Sequence, residues 1–118
     1  MKVRDIVKVM EGFAPLSIQE DWDNSGLCIG SPDDDVTSVL LGLDCTPELV
    51  DEAMECGADM IITHHPLIFS GLKKISPDNQ TGAAVIKAVR AGISIYAAHT
   101  NADKVLAGVS GAMAARLG

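Results

Sequence analysis

Short apolar segments alternate with helix-forming segments from residue 38 onward. The apolar runs that are typical of buried strands are 38–43, 60–63 and 93–98. Helical signals follow each run, over about 46–55, 81–91 and 103–117. This order is typical of parallel strands joined by crossover helices. We therefore predict an α/β fold, a single domain over residues 1–118, whose parallel-stranded sheet carries crossover helices on both faces in a three-layer α/β/α arrangement.

The first 30 residues hold one further helix and a polar turn. Apolar side chains recur on one helical face up to Pro15, which predicts an amphipathic helix over residues 2–14. Residues 21–26 have the composition of a turn and precede a short apolar run over 27–30. We expect Trp22 to anchor this turn as a solvated loop with its acidic neighbours; lining a pocket is the alternative.

Composition narrows the class of protein. The chain has 118 residues, of which 47% are hydrophobic, so it can build a core and is not intrinsically disordered. Its formal net charge of −7 and its lack of a basic run argue against nucleic acid as a partner. The three cysteines form neither a CxxC motif nor an even set, which argues for a reducing compartment. No apolar segment is long enough for a membrane span. We therefore expect a cytoplasmic protein with no membrane partner.

Histidines occupy equivalent positions after two of the predicted strands. His64 lies seven residues after the helix-stopping Gly57, and His99 lies seven residues after the helix-stopping Gly92. The carboxyl ends of parallel strands are where α/β sheets form ligand crevices. We expect the three histidines of the chain to lie at that edge of the sheet, together with Asp44 at the end of the first strand of the repeat.

The adjacent pair His64 and His65 favours a metal site with two ions. Neighbouring residues in extended backbone point to opposite sides, and Pro66 biases His65 toward that geometry. Such a pair suits one imidazole on each of two ions about 3.5–4 Å apart better than it suits one ion. The alternative is that both histidines simply cap a strand edge.

The segment 99–103 is the second candidate contributor. Thr100 or Asn101 can cap the last helix, which places Asp103 in its first turn. There the helix dipole stabilises a carboxylate with or without a metal, so Asp103 has a structural explanation as well. His99 is a ligand or, as we prefer, a supporting and substrate-facing group. Cys45 is expected to be a small core residue rather than a nucleophile.

Three blocks of the sequence resemble the signature of the Nif-three-like dinuclear metal centre family, whose members are often named type 2 homologues of GTP cyclohydrolase I. The blocks are DWDNSGL at 21–27, GADMIITHHPLIF at 57–69 and YAAHTNAD at 96–103. The resemblance covers the N-terminal half of the family fold. It implies that His64 and His65 each ligate one of two divalent metals and that Asp103 ligates the metal of His65. A further histidine and a glutamate, from the C-terminal part of longer family members, would complete the site.

The resemblance also implies a function. It is that of a divalent-metal-binding protein similar to dinuclear metal-dependent hydrolases, with a nucleotide-type substrate and a homo-oligomeric assembly. Histidine and carboxylate ligands suit zinc, iron and manganese alike. The alternatives are a noncatalytic metal-binding or scaffold subunit that forms a homo-oligomer, and a domain that binds a small anion at its helix N-termini without metal. With three ligands for two ions, we expect this chain alone to hold metal weakly and to self-associate.

Overall fold

The computed structural model describes residues 1–105, which form four strands and four α-helices. The strands are β1 Gly26–Ile29, β2 Val39–Gly42, β3 Met60–Thr63 and β4 Ser94–Ala97. The helices are α1 Val3–Phe13, α2 Pro47–Cys56, α3 Gln80–Ala91 and α4 Thr100–Asp103. The last helix was predicted over about 103–117. It runs from Thr100 to Asp103, Lys104 and Val105 are not helical, and the predicted continuation over 106–117 lies outside the described residues.

The four strands form one mostly parallel sheet in the order β1-β4-β3-β2. β2, β3 and β4 run parallel, as predicted, and β1 pairs antiparallel with β4. The sequence assigned no strand to the run 27–30, because periodicity cannot distinguish strand from turn over four apolar residues. The predicted α/β class is confirmed, with an antiparallel strand added at one edge.

Matching helix ends set the positions of β3 and β4. Gly57 follows α2 with a φ of 75°, and Gly92 follows α3 with a φ of 69°, so both helices end in the left-handed conformation that glycine accepts. After each of these helices the chain reverses direction and enters the next strand, β3 after α2 and β4 after α3. The parallel register pairs Thr63 with Ala97 at the ends of these strands. The spacing from glycine to histidine therefore brings both histidines to one edge of the sheet.

Helices cover both faces of the sheet, which confirms the three-layer arrangement. On one face, α2 and α3 pack on Ile61 and Ile95 through small side chains such as Ala53, Ala84 and Ala88. On the other face, α1 packs on Met60 and Tyr96. Alanine at the contact lets these helices approach the sheet closely, so an aromatic-poor sequence still makes a closed core. None of the helices within residues 1–105 combines the length and hydropathy needed to cross a bilayer.

Candidate metal centre

The three histidines of the chain lie together at the carboxyl edge of the sheet. His64 and His65 follow β3, and His99 follows β4. The ring centroids are 5.1 Å apart for His64–His65, 5.1 Å for His64–His99 and 5.3 Å for His65–His99. One ring nitrogen from each can be chosen so that all three lie within 4.8 Å of one another. Three imidazoles at this separation surround a space of the size that a metal ion occupies.

Each imidazole is oriented by a hydrogen bond at Nδ1. His64 Nδ1 is 2.8 Å from the carbonyl oxygen of Ala98, so this nitrogen must donate. His65 Nδ1 is 2.7 Å from a carboxylate oxygen of Asp44, and His99 Nδ1 is 3.1 Å from one of Asp23. With hydrogen on Nδ1, the lone pair of a neutral imidazole is on Nε2. The donor set therefore fits a divalent metal, since ligating histidines commonly donate their other N–H to a carboxylate or carbonyl.

Strand register explains two of these contacts. The β2–β3 pairing matches Gly42 with Thr63, and the backbone N–H of His65 still donates to the carbonyl of Leu43 at 3.0 Å. Continuing this register past the strand ends places Asp44 beside His65. The β3–β4 pairing matches Thr63 with Ala97, so continuing it places Ala98, whose carbonyl oxygen accepts from Nδ1, beside His64. The His64 and His65 ring centroids are only 5.1 Å apart, so the two rings face one site and do not point to opposite sides as predicted.

The structure brings the predicted ligands His64, His65 and Asp103 to one site. The carboxylate of Asp103 lies 3.5 Å from His64 Nε2, and Asp103 is in the first turn of α4, as predicted. His99, for which a supporting or substrate-facing role was preferred, lies as close to the other two rings as they lie to each other. The ligand roles themselves stay predictions.

Asp23 is a central residue of the site to which no role was assigned from the sequence, although it lies in the first block of the family signature. Its side chain is 0% exposed, although the turn 21–26 was predicted to be solvated. One oxygen accepts from the hydroxyl of Thr100 at 2.6 Å and from its backbone N–H at 2.9 Å; the other accepts from the backbone N–H of Asn24 at 2.8 Å. Burial would raise the pKa of Asp23, but these bonds and that from His99 together hold it well below its usual range.

The predicted cap of the last helix is wrong. His99 occupies the N-cap position of α4 and makes no side-chain cap, while Thr100 is already helical. The Thr100 hydroxyl donates to Asp23 instead, and the Asn101 amide donates to the carbonyl of Ala14 at 2.9 Å. These partners lie 77 and 87 residues away along the chain, so no local sequence pattern could predict them.

Trp22 also differs from the prediction. Its side chain is 58% exposed, so it does not anchor the loop, which Asp23 holds. The indole lies near the phenyl ring of Phe69, with centroids 5.8 Å apart, and meets the His99 ring edge-on at 6.1 Å. The polar turn therefore belongs to the rim of the histidine cluster.

The cysteine beside the site is a core residue, as predicted. Cys45 is buried among α2, α3 and the sheet, and burial raises the pKa of its thiol to about 12. Burial likewise raises the pKa of Cys28 to about 11. Because the thiolate is the nucleophile and ligand, neither thiol is prepared to react or to bind metal.

Comparisons with known proteins match this sequence and fold to one family. The family Duf34/NIF3 (NGG1p interacting factor 3) matches residues 1–118. A Clostridium acetobutylicum protein named GTP cyclohydrolase 1 type 2 homolog is 42% identical over 118 residues, all of this chain and 44% of that protein. A Staphylococcus aureus protein of the same name is 42% identical over the whole chain, which covers 32% of it.

Solved structures agree. A Bacillus cereus protein related to NIF3 superposes with a TM-score of 0.94 at 42% identity, over 100% of this chain and 32% of that one. Reduced HcgD from Methanocaldococcus jannaschii superposes with a TM-score of 0.89 at 28% identity, over 98% and 46%. The chain thus spans between about a third and just under half of these relatives' lengths. With its whole length matched by the family and its fold shared with family structures, the chain belongs to the DUF34/NIF3 family, which confirms the resemblance seen in its sequence.

Proposed function

We propose that this chain binds divalent metal at the edge of its sheet and contributes the histidine-rich part of a metal-dependent hydrolase site. His64, His65 and Asp103 are the proposed ligands, and His99 is a further one. The observation that carries the proposal is that all three Nδ1 atoms are engaged by an acceptor, which leaves Nε2 of each ring for a metal.

The carboxylates of the site have distinct proposed roles. Asp23 and Asp44 hold the imidazoles of His99 and His65 in the tautomer that a metal requires. Asp103 lies against the other nitrogen of His64 and would add a hard oxygen ligand. A mixed imidazole and carboxylate set suits zinc, iron or manganese, and the family resemblance favours two ions.

Bound metal would polarise a substrate and lower the pKa of a coordinated water, which is the chemistry of hydrolytic sites. The residues of this chain would orient the ligands and keep protons off their Nε2 atoms. The names of the Clostridium and Staphylococcus relatives favour a nucleotide-type substrate such as GTP. That proposal concerns the whole protein, because the chain covers under half of those relatives.

A second candidate is a noncatalytic metal-binding or scaffold subunit that forms a homo-oligomer. Leu41 on edge strand β2 is 71% exposed, and Phe13 and Val9 on α1 are also exposed. With His64 they line an open groove of about 530 Å³. Exposed apolar patches of this kind often become interfaces, so a second copy of the chain is the proposed occupant.

Metal titration tests the shared part of both candidates. The chain is stripped with a chelator and titrated with Zn²⁺, Mn²⁺ or Fe²⁺ by calorimetry, with elemental analysis of the product. His64→Ala and His65→Ala should each weaken metal affinity by at least about tenfold. Asp78→Asn, at an exposed aspartate outside the cluster, is the matched control and should bind like the original chain.

Thermal unfolding of the metal-free variants separates a ligand from a structural histidine. We expect each alanine variant to lose much more metal affinity than metal-free stability. The reverse pattern, with metal affinity unchanged and the metal-free protein destabilised, would contradict the metal proposal. GTP turnover by metal-loaded protein, measured alongside sedimentation at several concentrations, then separates the hydrolase from the scaffold.

A further inference from the structure

Two exposed aromatic rings stand beside the histidine cluster. Trp22 is 58% exposed and Phe69 is 50% exposed, and their centroids are 5.8 Å apart at an interplanar angle of 38°. The Trp22 ring also meets the His99 ring edge-on at 6.1 Å. Single exposed apolar residues are common on proteins, but a paired set at the rim of a polar site calls for an explanation.

The two rings are exposed although the loops that carry them are held in place. Asp23, next to Trp22, is buried and bonded to His99 and Thr100. Asn24 ties this loop to the other one, because its side-chain amide donates to the carbonyl of Ile68, next to Phe69. The exposure of the rings is therefore a property of a fixed arrangement.

The surroundings restrict what such a platform can hold. Aromatic side chains bind planar rings by stacking, which is worth about tenfold or more in affinity per base. The chain carries a formal net charge of −7, and Asp23, Asp44 and Asp103 all contact the histidine cluster. In the metal-free chain this field favours a neutral or cationic ring over an anionic one, and bound divalent cations would remove the advantage of a cationic ring, so a neutral ring suits both states.

We propose that Trp22 and Phe69 form a stacking platform for a planar nitrogen heterocycle whose polar edge faces the histidine cluster. The heterocycle stacks on the indole and contacts the phenyl ring, so its nitrogen and oxygen atoms reach the imidazoles or the metal they hold. This inference rests on the proposed function, because the cluster supplies the polar half of the site.

The only tryptophan of the chain provides a direct probe. Guanosine, which is neutral and planar, is titrated into the chain with and without Zn²⁺, with excitation at the red edge of the tryptophan band. We expect saturable quenching of Trp22 emission by guanosine and none by ribose, which lacks the ring. A guanosine response no stronger than that of ribose would overturn the proposal.

Variants test which rings take part. Phe69→Leu should weaken guanosine binding several-fold, and Trp22→Leu, followed by calorimetry, should weaken it about tenfold. Trp22→Phe should restore most of the loss, because it keeps an aromatic face. Phe13→Leu replaces the other phenylalanine of the chain, which is also exposed, and should bind guanosine normally. Equal binding by all four variants would overturn the platform.

Metal content of the same samples keeps the two proposals apart. Zinc binding without guanosine quenching would remove the platform and leave the metal proposal standing. Guanosine quenching without zinc binding would remove the metal proposal and leave the platform standing. Tryptophan emission that changes with protein concentration and not with guanosine would show that a second copy covers the rings, which would also overturn the platform.

Discussion

Two aspartate–histidine pairs at the same sheet edge differ in how deeply they are built into the fold. Asp23 is 0% exposed and its partner His99 is 20% exposed, whereas Asp44 is 57% exposed and His65 is 44% exposed. Asp23 accepts hydrogen bonds from four residues, while Asp44 accepts one from an imidazole. The Asp23–His99 pair therefore supports both the fold and the site, whereas the Asp44–His65 pair supports mainly the site.

The difference follows from where each pair lies. Asp23 comes from a loop next to edge strand β1 and joins that loop to the start of α4, so removing it would weaken the connection between two parts of the chain that are remote in sequence. Asp44 directly continues β2 beside β3, where backbone bonds already hold the strands. We expect stability to depend strongly on Asp23 and weakly on Asp44, although metal binding should depend on both.

Asp23→Asn should have the largest effect on stability. The amide keeps the size of the side chain, but its NH2 group can only donate. If this group takes the place of one carboxylate oxygen, Thr100 loses its acceptor; if it takes the place of the other, the Asn24 N–H and His99 lose theirs. Leaving buried donors unpaired costs about 1–3 kcal/mol each. We expect the free energy of unfolding, measured by urea denaturation, to fall by about 3 kcal/mol. A loss comparable to that of Asp44→Asn would remove the distinction between the two pairs.

Lowering the pH should reveal the dependence of stability on Asp23 in the unsubstituted chain. The pKa of Asp23 is lowered in the folded protein from its ordinary value of 3.8, so its contribution is complete above that value and declines as pH falls through and below it. Asp23→Asn lacks this carboxylate and should lose less stability between about pH 5 and pH 3. Asp35 and Asp59 also have lowered pKa values but occur in both proteins, so they cancel in the comparison. Parallel stability curves would contradict this assignment.

Sequence reasoning found the strand ends and missed the loop that completes them. The glycine spacing located His64 and His99, and the register of short parallel strands then brought His65 beside Asp44. Asp23 and Trp22 lie in the first block of the family signature, and lining a pocket was the alternative for this turn. No site role was assigned to them because a six-residue turn carries no periodicity and their partners are remote in sequence. The indole of Trp22, predicted to anchor the loop, is exposed, and the carboxylate of Asp23, predicted to be solvated, is buried. Hydrogen bonds from Thr100 and His99 offset the cost of burying the charge of Asp23.

Metal affinity should respond to the exposed pair even though stability does not. In Asp44→Asn the amide still accepts or donates at His65 Nδ1, but it no longer stabilises a single tautomer. We expect Zn²⁺ affinity to fall by about tenfold, measured by competition with a chromophoric chelator. Glu52→Gln, at an acidic residue elsewhere on the surface, is the matched control for loss of one negative charge. A similar loss in that control would assign the effect to net charge rather than to His65.

The smallest expected effect is the change in metal-free stability caused by Asp44→Asn. Both partners of this pair are about half exposed, so water can replace the lost bond and little desolvation is at stake. We expect the free energy of unfolding without metal to change by less than about 0.5 kcal/mol, measured by the same urea denaturation. Imidazole nitrogen shifts in NMR spectra should show His65 sampling both tautomers while His64, held by the Ala98 carbonyl, keeps hydrogen on Nδ1. A stability loss of several kcal/mol would mean that the exposed pair is also part of the fold, and the proposed division of roles between the two pairs would be wrong.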